Sequence, residues 1–211
     1  RFMPSDFWGQ QQQIFTNAEG SHIYGIDTSP TIQVIDNNND GIIKSSDSDR
    51  VRAYISSRRG GSNMYALDIT ADINTAGDNV TPTFLWRIQG GSADFPRLGQ
   101  TWSKPTIATI AVDTGSTIEL REALIFGGGY DGSLDNPGTY DSVTPFMGNA
   151  IYIVDAEKGN LLLSISGSPG GADIVVPDMN FSIPSIVRVF DTDGDGVDDR
   201  LYVGDTGGQV W

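Results

Sequence analysis

Cysteine is absent from the 211 residues, and histidine occurs once. The first absence removes disulfides, thiol nucleophiles, zinc–thiolate centres and iron–sulfur clusters together. It leaves the compartment open. The second leaves His22 as the one imidazole for a serine–histidine triad, and no Gly-x-Ser-x-Gly elbow accompanies it. Long apolar runs are also missing: none approaches the roughly 20 residues a membrane helix needs. Positive charge is scarce, with 13 Lys and Arg against 27 Asp and Glu, a net −14. Such a surface repels nucleic-acid phosphates and anionic lipid, and it attracts cations. No signal peptide is legible, because Arg1-Phe2-Met3-Pro4 is not an export start. The chain reads as a processed or excised piece.

What is present is β patterning. Short β-branched and aromatic runs alternate with Gly, Asn, Asp and Ser clusters, and long helical periodicity is lacking. Three segments open alike: Ser29-Pro30-Thr31-Ile32, Lys104-Pro105-Thr106-Ile107 and Ile183-Pro184-Ser185-Ile186. They recur at roughly 75–80 residues, the signature of a repeat architecture. A strand tolerates proline best at its first residue, where the missing N–H costs least. Each opener leads to a second strand (50–55, 122–129, 200–205) and a third (63–68, 150–155, 209–211). Units one and two add a fourth, over 83–88 and 161–165, with a longer insertion ahead of it in unit one.

Four antiparallel strands per repeat predict an all-β fold, a β-propeller of the quinoprotein-like type. Blades are expected over 28–90, 101–166 and 180–211, the last incomplete, as part of a larger propeller. Residues 1–27 are read as the end of a preceding blade or a linker, with a strand over His22–Asp27 and a polar surface crossing over Trp8–Ile14. A β-sandwich with accidental internal similarity is the alternative.

The sharpest motif is Asp191-Thr192-Asp193-Gly194-Asp195-Gly196-Val197-Asp198-Asp199. Carboxylates fall at positions 1, 3, 5 and 9, with the Val197 carbonyl at 7. Ca²⁺ takes six to eight oxygens at about 2.3–2.6 Å, and this spacing wraps a loop around such an ion. Strands flank it, so the motif predicts a calcium hairpin, not an EF-hand. Its ligands are Asp191, Asp193, Asp195, Val197 and Asp199, with Asp198 pointing off-site. Unit one carries a weaker version in the same place: Asp36, Asn38, Asp40 and the Ile42 carbonyl at positions 1, 3, 5 and 7. Its position 9 is Lys44, which cannot ligate, so Asp47 or Asp49 must replace it. A plain Asn/Asp turn is the competing reading. Unit two has Ala111-Val112-Asp113-Thr114-Gly115 there and has lost the pattern.

Other candidates read as structural. His22 is expected to be a packed or hydrogen-bonded histidine. Arg58-Arg59-Gly60-Gly61 is expected to be a charged turn between strands. Trp86, Trp102 and Trp211 sit near strands and are expected to pack between units.

Taken in order, several pieces resemble the C-terminal propeller of the PilY family of type IV pilus biogenesis and tip-adhesin proteins. They are Ser29-Pro30-Thr31, the Asp36–Asp40 loop, Arg58–Gly61, Tyr65–Thr70 and Leu85–Ile88, then Thr101–Pro105, Phe126–Tyr130, Ile151–Ala156 and Asp191–Trp211. The resemblance covers about residues 20–211. The single histidine, the missing cysteine and the lack of a nucleophile motif predict a non-enzymatic role, and the resemblance implies a protein of the cell surface, pilus tip or periplasm of a Gram-negative bacterium. Its partners would be minor pilins or pilus tip components, and a host or abiotic surface. It also implies roles in pilus assembly, twitching motility and adhesion, with calcium at Asp191–Asp199 tuning pilus extension against retraction. No Arg-Gly-Asp is present.

Two other functions compete. One is a quinoprotein (PQQ) dehydrogenase-like enzyme fragment, suggested by the Asp155-Ala156-Glu157-Lys158-Gly159 turn, although no ligand set for a quinone is legible. The other is a calcium-dependent surface adhesin unrelated to pili.

Overall fold

The computed structural model describes residues 2–17, 19, 22–70, 81–136 and 145–211. The chain is mostly β, with little helix. A first sheet runs β1 (Thr31–Ile35), β2 (Arg50–Ser56), β3 (Asn63–Asp68) and β4 (Thr83–Gln89), each strand antiparallel to the next. A second runs β5 (Thr106–Asp113), β6 (Ile118–Gly127), β7 (Ala150–Asp155) and β8 (Leu161–Ser166) in the same way. It then adds a fifth strand, β9 (Ile174–Val175), parallel to β8. A third, two-stranded sheet pairs β10 (Arg188–Phe190) with β11 (Arg200–Tyr202). Its expected third strand begins as a bridge of Gly204 to Val210, with Val203 and Trp211 exchanging amide bonds of 3.0 and 2.8 Å. Among the described residues no sheet closes on itself.

The sequence repeat is a structural repeat. Register shifts fall at Ala66/Leu67 between the third and fourth strands of the first sheet, and at Ile153/Val154 in the same place of the second. The openers also link successive units. Thr31 Oγ1 donates to the Pro105 carbonyl (2.8 Å), and Thr106 Oγ1 donates to that of Val187 (2.7 Å).

The core follows from period-2 alternation. Leu124, Phe126, Tyr152 and Val154 of the second sheet pack with Tyr54, Met64, Trp86 and Ile88 of the first. Their neighbours Ile125 and Ile151 face the other way, onto Met179, Ile183, Val187 and Val203 beside the third sheet. The middle sheet is thus covered on both faces along β7 and residues 123–127 of β6, and these read as nearly continuous apolar runs, while the outer half of β6 is charged and exposed. Trp86 is 8% exposed and donates to the Ala156 carbonyl at 3.3 Å, packing between units as expected. Trp211 packs partly buried against the second cluster.

The N-terminal stretch differs from expectation. Residues Ser5–Gln10 form a 3₁₀ turn, which runs into a short helix, α1 (Gln11–Thr16), with every residue of α1 exposed. No strand forms over His22–Asp27. The alternation there has no partner strand to complete a ladder. His22 lies exposed, hydrogen-bonded to Asn17 Oδ1 (2.7 Å) and edge-on to Tyr24. The insertion expected ahead of the first unit's fourth strand falls at residues 71–80, outside the described residues.

Candidate metal site

The β10–β11 hairpin presents residues 191–199 as its loop, closed at the base by the Asp199 amide on the Phe190 carbonyl (3.0 Å). Asp191 organises the turn. Its two oxygens accept the Gly194 and Gly196 amides, at 2.7 and 2.8 Å. These amides, Gly196 foremost, hold its carboxyl below the usual carboxylate range. Both glycines have positive φ, 81° and 88°, a conformation other residues adopt at a cost. Asp193 Oδ1 accepts the Asp195 amide (3.3 Å), and Asp195 Oδ1 accepts that of Val197 (2.8 Å).

The result is convergence. Asp191, Asp193 and Asp195, all exposed, each bring an oxygen to within 4.8 Å of the others. Among the described residues, this is the one group of three or more carboxylate or imidazole side chains so placed. The donor set suits a hard cation that takes oxygen ligands. Asp199 stands apart: its oxygens lie 2.9 and 2.7 Å from the Thr192 hydroxyl. Asp198 turns away from the loop and onto β5. Its Oδ2 accepts the Thr109 amide (2.9 Å), while its own amide donates to the Thr109 carbonyl (2.8 Å).

The loop of unit one repeats the design. Asp36 Oδ2 accepts the Gly41 amide (2.8 Å), and Asp40 Oδ1 accepts that of Ile42 (2.7 Å), matching Asp191–Gly196 and Asp195–Val197. Asn38 Oδ1 accepts the Asp40 amide (3.1 Å). The difference is charge. The Lys44 ammonium sits 3.7 Å from both Asp40 Oδ2 and Asp47 Oδ2, so the loop carries an internal cation. Asp36 Oδ1 is buried without a hydrogen-bond partner. Asp49 is fully buried and braces the loop from below. It accepts the amides of Lys44 and Asn37, both at 2.9 Å, and they lower its carboxyl's pKa. Its role is therefore anchoring. Sequence reasoning missed that role, and it missed the Thr192 contact and the grip of Asp198 on β5. The hydroxyl inside an acidic loop was the signal for Thr192. No local signal marked the other two.

Arg58 and Arg59 are engaged within the chain. Arg58 pairs with Asp27 (3.3 Å) and covers the Trp102 ring at 4.3 Å. Arg59 pairs with Asp135 (2.6 Å) and lies over Tyr24. Trp102 thus meets a residue of the preceding unit, as expected.

No family model matches the chain. Curated relatives do. A type IV pilus biogenesis factor PilY1 homolog of Xylella fastidiosa is 31% identical over 157 residues, and PilY1 of Pseudomonas aeruginosa PAO1 is 31% identical over 156. The chain is homologous to a segment of the PilY1 pilus biogenesis factors. These alignments take in 72% and 73% of this chain but only 9% and 10% of the relatives. The crystal structure of the P. aeruginosa PilY1 C-terminal domain superposes with a TM-score of 0.58 at 24% identity, covering all of this chain and 32% of that one. That likeness establishes a shared fold. The PilY1 relatives are named as biogenesis factors, not as enzymes.

Proposed function

We propose that the chain is a calcium-binding, non-enzymatic segment of a type IV pilus biogenesis factor. In this reading its sheets are successive blades of a β-propeller continued by further units, and it acts with minor pilins or pilus tip components at the cell surface or in the periplasm. The observation that carries the calcium reading is the convergence of Asp191, Asp193 and Asp195 at the tip of one hairpin, in a chain homologous to PilY1. These three side chains, the Val197 carbonyl and Asp199 would hold the ion. Asp199 would have to give up its contact with the Thr192 hydroxyl to join them. These ligands come from both sides of the turn, so a cation held by them would offset part of the loop's negative charge and tie the ends of β10 and β11 together.

Support for the pilus role comes from the names of the relatives and the shared fold. Twitching motility and surface adhesion are the activities this segment would serve. The first loop is the weaker cation site, because Lys44 already supplies a positive charge there.

The test has two arms. Calorimetric titration of the purified chain with Ca²⁺ should show binding that Asp191→Ala removes, and heat-free titration of the wild type would defeat the calcium reading. In the parent bacterium, Asp191→Ala should alter twitching while the protein stays at the surface. Unchanged pili and twitching after deletion of the whole gene would defeat the pilus reading.

A further inference from the structure

The hairpin is not an isolated turn. β5 is the edge strand of the second sheet, with β6 on one side. On its free side the amide and carbonyl of Thr109 are both taken by Asp198, which lies 89 residues away in the chain. Asp198 imitates a neighbouring strand. Its main-chain N–H is the donor, and its carboxylate stands where a strand carbonyl would be. Asp198 directly precedes Asp199, the loop's ninth position. Thr192 holds Asp199 on one side of that peptide, and Thr109 holds Asp198 on the other. A shift of Asp199 toward an ion therefore moves the residue that grips β5.

We infer that Asp198 is a positioning residue that couples cation binding in the 191–199 loop to the free edge of β5, so that the ion fastens the third unit onto the second. This rests on the calcium reading above. Apolar packing of Ile110 and Ile153 beside Val189 and Leu201 also joins the two units, and the Thr106 and Ser103 hydroxyls reach the Val187 and Ser185 carbonyls further along, but among the described residues it is Asp198 that holds the Thr109 backbone. Charge is not what the contact requires. An asparagine offers the same acceptor oxygen to the Thr109 amide, whereas alanine offers none.

Hydrogen–deuterium exchange on the full chain, with Ca²⁺ or with chelator, tests this. In the wild type, Ca²⁺ should slow exchange in residues 188–203 and also at the Thr109 amide, the latter by about tenfold, a usual size for coupling between sites. In Asp198→Ala the hairpin should still gain protection while the β5 effect disappears. In Asp198→Asn both effects should persist. Protection of the wild-type hairpin with no change at Thr109 would overturn the coupling and leave the calcium reading standing. So would a β5 response in Asp198→Ala equal to that of the wild type. No response anywhere in the wild type would overturn both.

Discussion

A Cβ on Gly159 would lie 2.6 Å from the indole of Trp86. Gly159 ends the tight turn after β7, with φ +73°, and the indole reaches across from β4 of the preceding sheet. The glycine is needed twice, for its backbone angle and for the space above it. Gly159→Ala should therefore cost more than the backbone penalty of about 1–2 kcal/mol for a left-handed residue. Gly115→Ala is the control, since Gly115 has φ +81° and open space around it. Urea denaturation should show the first variant clearly less stable than the second. Equal losses would mean that the Trp86 contact is soft.

Calcium should raise the melting temperature. A ligand that binds only the native state stabilises it by about 2.7 kcal/mol at 100-fold above its Kd. The rise should vanish in Asp191→Ala and in Asp199→Ala. Mg²⁺ should give less, since it dehydrates reluctantly and demands octahedral geometry. Melting of the wild type that is equal with calcium and with chelator would contradict the assignment.

Acid should loosen the first loop. The Lys44 and Asn37 amides depress the Asp49 carboxyl below its ordinary 3.8 in the folded chain. A carboxyl depressed by folding stabilises the fold above its unfolded value, and that contribution fades as pH falls through the folded value. Between pH 7 and pH 3, the denaturation midpoint of Asp49→Asn should thus fall less steeply than that of the wild type. The variant should start lower at pH 7, because its amide NH₂ meets one of the two N–H donors. Parallel pH curves would argue against Asp49 as the anchor.

Lys44 should suppress cation binding in the first loop. Its ammonium contacts Asp40 and Asp47, each at 3.7 Å. Lys44→Gln removes the internal cation and should strengthen Ca²⁺ binding there a few-fold, the scale of exposed ion pairs. Titration in an Asp191→Ala background isolates this loop. Affinity unchanged by Lys44→Gln would show that the ammonium is not the competitor.

The features readable from sequence alone were those that operate within a hairpin. β1–β2, β5–β6 and the paired third strands follow alternation and turn residues, whereas the two register shifts, at matching places of the repeat, had no signal in the sequence. The strand expected over His22–Asp27 failed because alternation promises a strand only where a partner edge exists. β9 was missed for the converse reason, since two residues are too few to carry a period.

Carboxylate spacing by itself determined which side chains converge at 191–195, because over so short a loop the turn leaves the chain little freedom to place them elsewhere. The same holds for the positive-φ glycines and for the matching loop at Asp36–Ile42. Tertiary structure alone decided that Asp198 would close on Thr109, that Asp49 would be buried beneath its loop, and that β7 and residues 123–127 of β6 would be covered on both faces. Those outcomes depend on which sheets stack and in what order. That is set by the combined burial of Tyr54, Trp86, Tyr152, Ile183 and their neighbours, contacts between residues far apart in the chain whose geometry no local pattern encodes.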